Sequence, residues 1–124
     1  MGTKKQEKDR QALLDAIDAM TEEDRVIAEG VHEVVTRVAP DLHPRTWYGF
    51  PAYAIDKKVL CFLTSREKGE SRYAVLGFND VATLDDGPMW PTSYAIDRWT
   101  DEVETAVEDL IRRATAPNSD TDDD

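Results

Sequence analysis

The chain has 124 residues and a formal net charge of −11, with 26 acidic and 15 basic residues. Its length suits one domain, and its hydrophobic fraction of 40% is enough for a packed core, which excludes a fully disordered chain. The acidic excess opposes binding to nucleic-acid phosphates. The single cysteine, Cys61, excludes an internal disulfide and a thiolate metal cluster.

The ends of the chain are polar. We expect residues 1–7 to be disordered, residues 8–116 to form a single domain and residues 117–124 to form a disordered acidic tail. The N-terminus lacks the apolar segment of a secretory signal, and no apolar run approaches the ~20 residues that span a bilayer. We therefore expect a cytoplasmic protein without membrane or nucleic-acid partners.

Two helices are predicted in the first third of the chain. Apolar residues recur at helical spacing from about Lys8 to Met20. Thr21 followed by three acids resembles an N-cap, which predicts a second helix over Glu22–Val38 that ends before Pro40.

The middle of the chain predicts strands. All ten aromatic residues lie between Trp47 and Trp99. Stretches rich in β-formers, bounded by turn residues, predict strands at Thr46–Tyr48, Ala52–Ile55, Val59–Leu63, Arg72–Phe78 and Thr92–Trp99. Residues 79–84 are predicted to form a turn or a short helix, and residues 85–88 a loop.

The last helix carries the clearest end signals. Thr100 is its predicted N-cap, acids follow in the first turn, and Arg112 and Arg113 stand in the last turn before Pro117. These elements together predict an α+β fold in which an antiparallel sheet packs against two N-terminal helices and one C-terminal helix.

Catalytic and cofactor motifs are lacking. Cys61 lies in an apolar run, where burial makes a thiol unreactive. His32 and Glu33 begin like a zinc-protease motif, but Thr36 stands where the second histidine is needed, and His43 has no ligand spacing. No glycine-rich phosphate loop supports a nucleotide cofactor. We expect no catalytic residues, so the chain is not predicted to be an enzyme.

Aromatic residues with polar tips, together with one arginine, are the first candidate site. They are expected to line a small-ligand pocket if the sheet is curved, with the arginine contacting an anion or an aromatic ring. The alternative is that they fill the core beneath the helices. The candidate pocket residues are Trp47, Tyr48, Tyr53, Arg72, Tyr73 and Trp90.

Acidic residues on the last helix are the second candidate site. Asp101, Glu104 and Glu108 share the face opposite the apolar stripe, and their oxygens are suited to weak binding of a hard cation. The alternative is an ordinary solvated helix face.

Four segments resemble the bacterial YdhG-like domain family. They are Trp47–Tyr53 (WYGFPAY), Lys58–Phe62, Arg72–Phe78 and Met89–Ser93, and they occur in order over nearly the whole predicted fold. The resemblance implies an α+β domain of mostly unknown function. One branch of that family is described as frataxin-like iron chaperones, and frataxins use acidic ridges, to which Asp101, Glu104 and Glu108 would correspond.

The leading functional hypothesis is a non-enzymatic binding domain that acts as a frataxin-like carrier of weakly bound iron or of a small ligand and delivers its cargo to an acceptor. The alternative hypothesis is an acidic interaction or regulatory module that docks on a basic protein partner without a small ligand. An enzyme would instead need a closed pocket that holds Arg72 beside a tyrosine or carboxylate with a perturbed pKa.

Overall fold

The structure is a computed structural model that describes residues 3–117. Helices α1 (Lys4–Asp18) and α2 (Glu22–Val38) precede strands β1 (His43–Trp47), β2 (Phe50–Ile55) and β3 (Lys58–Thr64). A short helix, α3 (Arg66–Gly69), leads to β4 (Ala74–Phe78) and β5 (Ser93–Ile96), and α4 (Asp101–Thr115) ends the fold. The five strands form one antiparallel sheet in the order β1-β2-β3-β4-β5, so the predicted α+β fold is confirmed.

Helix α1 begins earlier than predicted. The Thr3 side chain accepts a hydrogen bond from the backbone of Gln6, and the Gln6 side chain accepts one from the backbone of Thr3, which completes a capping box. Residues 4–7 are therefore helical, and the prediction of a disordered segment over residues 1–7 was wrong for them. Residues 1–2 and 118–124, which include most of the predicted acidic tail, lie outside the described residues.

The strand ends also differ from the sequence prediction. Strand β1 begins at His43 and includes Pro44, which a sheet tolerates because β1 is an edge strand. Strand β5 ends at Ile96, three residues before the predicted end. Residues 79–82 form a turn closed by a hydrogen bond from the Ala82 amide to the Asn79 carbonyl, and residues 83–84 are irregular. Helix α3 was not predicted because four residues carry no periodic signal.

The two faces of the sheet have different surroundings. One cross-strand row consists of Pro44, Tyr53, Cys61 and Phe78, all buried, and the last three belong to a core cluster built with α1, α2 and α4. The neighbouring row lies on the opposite side because side chains alternate along a strand. We call this opposite side the outer face, and its row consists of Arg45, Ala52, Phe62, Gly77 and Ser93.

Cys61 is fully buried in the core, as its apolar neighbours predicted. Burial raises the pKa of its thiol to about 12, which keeps it protonated at neutral pH. Among residues 3–117 no helix has the length and apolar character needed to cross a membrane.

Candidate functional site

The six predicted pocket residues do not share one site. Trp47 continues the alternation of Arg45 on the outer face, whereas Tyr53 belongs to the buried row on the other side of the sheet. The Trp47 and Tyr48 rings lie edge to face with their centroids 4.7 Å apart, and 77% of Tyr48 is exposed. The structure therefore separates Tyr53 from the two aromatic residues that precede it in the chain.

Tyr53 is a core residue with one polar partner. It is 1% exposed, and its hydroxyl lies 2.8 Å from Nδ1 of His32 on α2. Burial raises the pKa of Tyr53, and burial together with the charge of Arg10 lowers the pKa of His32. Both groups are therefore neutral near pH 7, and their hydrogen bond satisfies polar atoms that would otherwise be unpaired in the core.

The remaining members of the predicted pocket lie elsewhere. The Arg72 guanidinium lies 5.1 Å from the centroid of the Tyr73 ring, and the Arg72 carbonyl accepts a hydrogen bond from Nε of Arg66 at 3.2 Å. These contacts hold Arg72 beside α3, at the start of β4. Trp90, in the loop between β4 and β5, is partly buried and packs against the core. The alternative that these aromatic residues fill a core applies to Tyr53 and Trp90.

Two acids on the acidic face of α4 are paired with an arginine of α2. Arg37 forms ion pairs with Glu104 at 3.4 Å and with Glu108 at 2.5 Å, and its Nε donates to Glu33 at 3.0 Å. The hydrogen bonds with Glu33 and Glu108 raise the pKa of Arg37. Asp101 is exposed in the first turn of α4. No cluster of three or more His, Cys, Asp or Glu side chains within residues 3–117 is arranged to hold a metal ion.

His43 has a structural partner that the sequence did not reveal. Its Nε2 donates to Asp9 of α1 at 2.8 Å, and this hydrogen bond is the main reason why the pKa of Asp9 is lowered. The pair lines a polar cleft of about 570 Å³ between α1 and the β2–β3 turn. The contact fixes the N-terminal helix against the edge strand β1.

A second cleft, of about 300 Å³, lies beside the start of α2. One of its three charged lining residues, Asp24, is 1% exposed, but both carboxylate oxygens are already bonded to Arg66, one to the backbone amide at 2.8 Å and the other to Nη1 at 3.1 Å. An internally satisfied carboxylate holds the fold together and leaves little capacity for a ligand.

An open groove of about 400 Å³ on the outer face is the third concavity, and we call it the sheet-face groove. Trp47 forms one wall, and the Trp47 and Phe62 rings pack with their centroids 4.7 Å apart. The β2–β3 turn brings in Lys57 and Lys58, and the segment after β4 is held by a hydrogen bond from the Asn79 amide to the Leu60 carbonyl at 2.9 Å. The lining residues are Arg45, Trp47, Lys57, Lys58, Val59, Asn79, Asp80 and Val81.

The charge of the sheet-face groove is opposite to that of the whole chain. Three basic residues and one acidic residue, Asp80, line it, so its lining carries a net charge of +2 within a total of −11. Arg45, Lys57 and Lys58 form no ion pair with any residue of the part of the chain that the structure describes. The groove thus combines an aromatic wall with three cations, of which Arg45 and Lys57 also line the polar cleft beside α1.

Most of this groove was missed by the sequence prediction, which identified only Trp47. Lys57 and Lys58 lie between the predicted strands Ala52–Ile55 and Val59–Leu63, and Arg45 precedes the predicted strand Thr46–Tyr48, so no motif marks these three residues as a site. The available signal was the local excess of basic residues around the aromatic segment of an acidic chain.

Comparison with known proteins gave no family model that matches the chain, and no significantly similar curated protein or solved structure.

Proposed function

We propose that the protein is a non-catalytic binding domain that holds a small ligand in the sheet-face groove. The observation that carries this proposal is the groove itself, in which an aromatic wall lies beside a few polar groups that have no ion-pair partner among the described residues. Small-molecule sites commonly combine an apolar or aromatic surface with a small number of polar groups that orient the ligand. The volume of about 400 Å³ falls within the range of such sites.

The architecture supports a preformed site. Trp47 is packed by Tyr48 on one side and Phe62 on another, with both pairs of ring centroids 4.7 Å apart. Lys57 belongs to a two-residue turn between paired strands, in which Asp56 and Lys57 have φ of 49° and 71°. A wall fixed by ring packing and a turn fixed by strand pairing lose little conformational entropy when a ligand binds.

The iron-carrier hypothesis receives less support from the described residues. Two of its three proposed ligands, Glu104 and Glu108, are bonded to Arg37, and a metal ion would have to displace that guanidinium. The likeness to YdhG-like domains stays a prediction, and the proposal for the groove does not depend on it.

The acidic interaction module remains the second hypothesis, and charge is the observation that favours it. Because the groove lining carries +2 within a total of −11, the rest of the chain carries −13. Such a surface attracts a basic protein at low salt and releases it as salt screens the charges.

The test is a fragment screen by ¹H–¹⁵N NMR on the full chain, with the Trp47 indole signal assigned from Trp47→Phe. We expect hits to shift the Trp47 indole and the amides of Lys58 and Asn79. Trp47→Phe should weaken these hits, whereas Trp90→Phe, which changes a tryptophan outside the groove, should not. Hits confined to other surfaces, or no hit at all, would contradict the proposal. Broadening of α4 amides by ferrous iron under anaerobic conditions would favour the iron-carrier hypothesis instead.

A further inference from the structure

The sheet-face groove contains groups for two kinds of interaction, and their combination restricts the ligand. We propose that the groove binds a small planar aromatic molecule that carries one or two negative charges, such as an aromatic carboxylate or a ring with one phosphate group. This inference rests on the proposed function, because it assumes that the groove is a ligand site.

The aromatic part of the ligand is assigned to Trp47. This residue is half-buried, lines the groove and is held in place by Tyr48 and Phe62. An indole ring that is fixed before binding is a stacking platform for another flat ring, and stacking of this kind needs no specific hydrogen bonds. A ligand without a ring would leave this wall unused.

The charged part of the ligand is assigned to Arg45 and the two lysines. Arg45 is half-buried, and its Nε donates to the Thr46 carbonyl at 3.0 Å, which orients the guanidinium. Its Nη atoms donate to no acceptor within residues 3–117. Two parallel N–H groups match the oxygens of a carboxylate or phosphate. Lys57 and Lys58 add two exposed positive charges at the same groove.

The number of negative charges on the ligand is limited by the rest of the molecule. The lining carries +2 and includes one acid, Asp80, whereas the remaining chain carries −13. A compact ligand with one or two charges is matched by the local cations. A polyanion such as single-stranded DNA extends beyond the groove and is repelled by the surrounding acids.

The experiment compares paired probes by NMR titration of the full chain. AMP is compared with adenosine and with inorganic phosphate, and 2-naphthoate is compared with 2-naphthalenemethanol. We expect AMP, 2-naphthoate or both to shift the Trp47 indole and the amides of Lys57 and Lys58. Each acid that binds should do so at least about tenfold more tightly than its neutral partner, because charge-assisted hydrogen bonds are lost in the neutral molecule. Phosphate alone should bind more weakly than AMP.

Response to AMP alone indicates a phosphate-bearing ligand, and response to 2-naphthoate alone indicates a carboxylate.

Matched variants distinguish the contribution of the groove residues to binding from the effect of the total charge of the chain. The double substitution Arg45→Gln with Lys58→Gln should weaken binding of the acid at least about tenfold and leave the neutral probe unchanged. Lys4→Gln with Lys8→Gln removes the same two charges from α1, outside the groove, and should have no such effect. The spectrum of each variant shows whether it has folded.

The possible failures are distinguishable. Equal affinity for an acid and its neutral partner, or equal affinity for phosphate and AMP, would overturn this inference but leave the groove as a ligand site. A groove that responds to none of these probes, but to neutral fragments in the screen, would overturn the inference alone. A groove that responds to nothing would overturn the proposed function as well.

Discussion

At the residue scale, close contacts determine which side chains the sheet tolerates. Phe62 lies across Gly77 on the outer face, and a Cβ at position 77 would come within 2.4 Å of its ring. A glycine in a strand is normally unfavourable because it loses backbone entropy and has no side chain to pack. Here the absence of a side chain lets Phe62 lie flat and pack against Trp47.

Gly77→Ala should therefore lower the free energy of unfolding by about 1–3 kcal/mol, the usual cost of overpacking. Gly69→Ala is the control, since its Cβ would meet nothing closer than 3.6 Å. Urea unfolding of both variants, and of Phe62→Ala with and without Gly77→Ala, measures the effect. The double variant should lose less free energy of unfolding than the two single variants together. Strict additivity would show that the Phe62 ring does not cause the destabilisation by Gly77→Ala.

His32 predicts a pH dependence of stability. Its pKa in the folded protein lies below the ordinary value of 6.5 for histidine, mainly because of burial and also because of the charge of Arg10. The unfolded chain therefore binds more protons at a pH between the two values, and the free energy of unfolding falls as pH decreases below about 6.5. One proton contributes at most about 1.4 kcal/mol per pH unit.

Urea unfolding at pH 7.5 and pH 5.5 is the measurement for this prediction. The wild-type chain should lose more stability over this interval than His32→Gln, whose amide can still bond to the Tyr53 hydroxyl but does not titrate. The same loss in both proteins would assign the effect to other groups.

At the element scale, the helix N-termini are stabilised to different extents. The Thr100 side chain accepts a hydrogen bond from the Val103 amide at 3.1 Å at the start of α4. Thr21, the N-cap of α2, makes no such bond. The two residues look equivalent in the sequence, because each is a threonine followed by acids. Only Thr100 satisfies one of the free amides of its helix.

Thr100→Ala should consequently lower the free energy of unfolding by about 1 kcal/mol, the typical value for a lost N-cap. Thr21→Ala is the matched control, and it should lower the free energy of unfolding clearly less. Thermal unfolding followed by circular dichroism distinguishes the two variants. Equal losses would mean that the difference in cap geometry has no energetic consequence.

At the scale of the whole molecule, Arg66 connects parts of the fold that are far apart in sequence. It is bonded to Asp24 on α2, to the carbonyl and carboxylate of Asp97 after β5, and to the Arg72 carbonyl before β4. Its side chain is 19% exposed, and Asp24 is 1% exposed. Removing the guanidinium would leave a buried carboxylate with only part of its bonding.

Arg66→Gln should lower the free energy of unfolding by about 2–3 kcal/mol, because charged hydrogen bonds are lost while the backbone amide at position 66 still donates to Asp24. Arg37→Gln breaks a network whose arginine side chain is 41% exposed, and should lower the free energy of unfolding clearly less, because solvent screens exposed ion pairs. Urea unfolding at one salt concentration measures both. If Arg66→Gln loses no more free energy of unfolding than Arg37→Gln, the role of Arg66 in connecting distant parts of the fold would be contradicted.

Much of the candidate site was unpredictable because it depends on turn geometry. Trp47 and Tyr53 are six residues apart, which would place them on one face of a continuous strand. A two-residue turn, with Tyr48 and Gly49 at φ of 52° and 80°, pairs Trp47 with Phe50 and thereby sends Tyr53 to the opposite face. Tyrosine is an uncommon residue for such a left-handed position, so the sequence predicted a break between strands Thr46–Tyr48 and Ala52–Ile55 but not a turn centred on Tyr48 and Gly49.

The sequence by itself determined the three long helices, the α+β class and the burial of Cys61, because apolar periodicity, capping residues and a local apolar run are properties of neighbouring residues. The capping box of Thr3 and Gln6 is also a local pattern, since its two residues stand three positions apart in the sequence. Only the tertiary structure decided that Arg37 pairs with Glu104 and Glu108, and that Arg45, Lys58 and Asn79 meet at one groove. The physical reason is that such contacts join residues distant in the chain, whose proximity depends on strand order, register and helix packing.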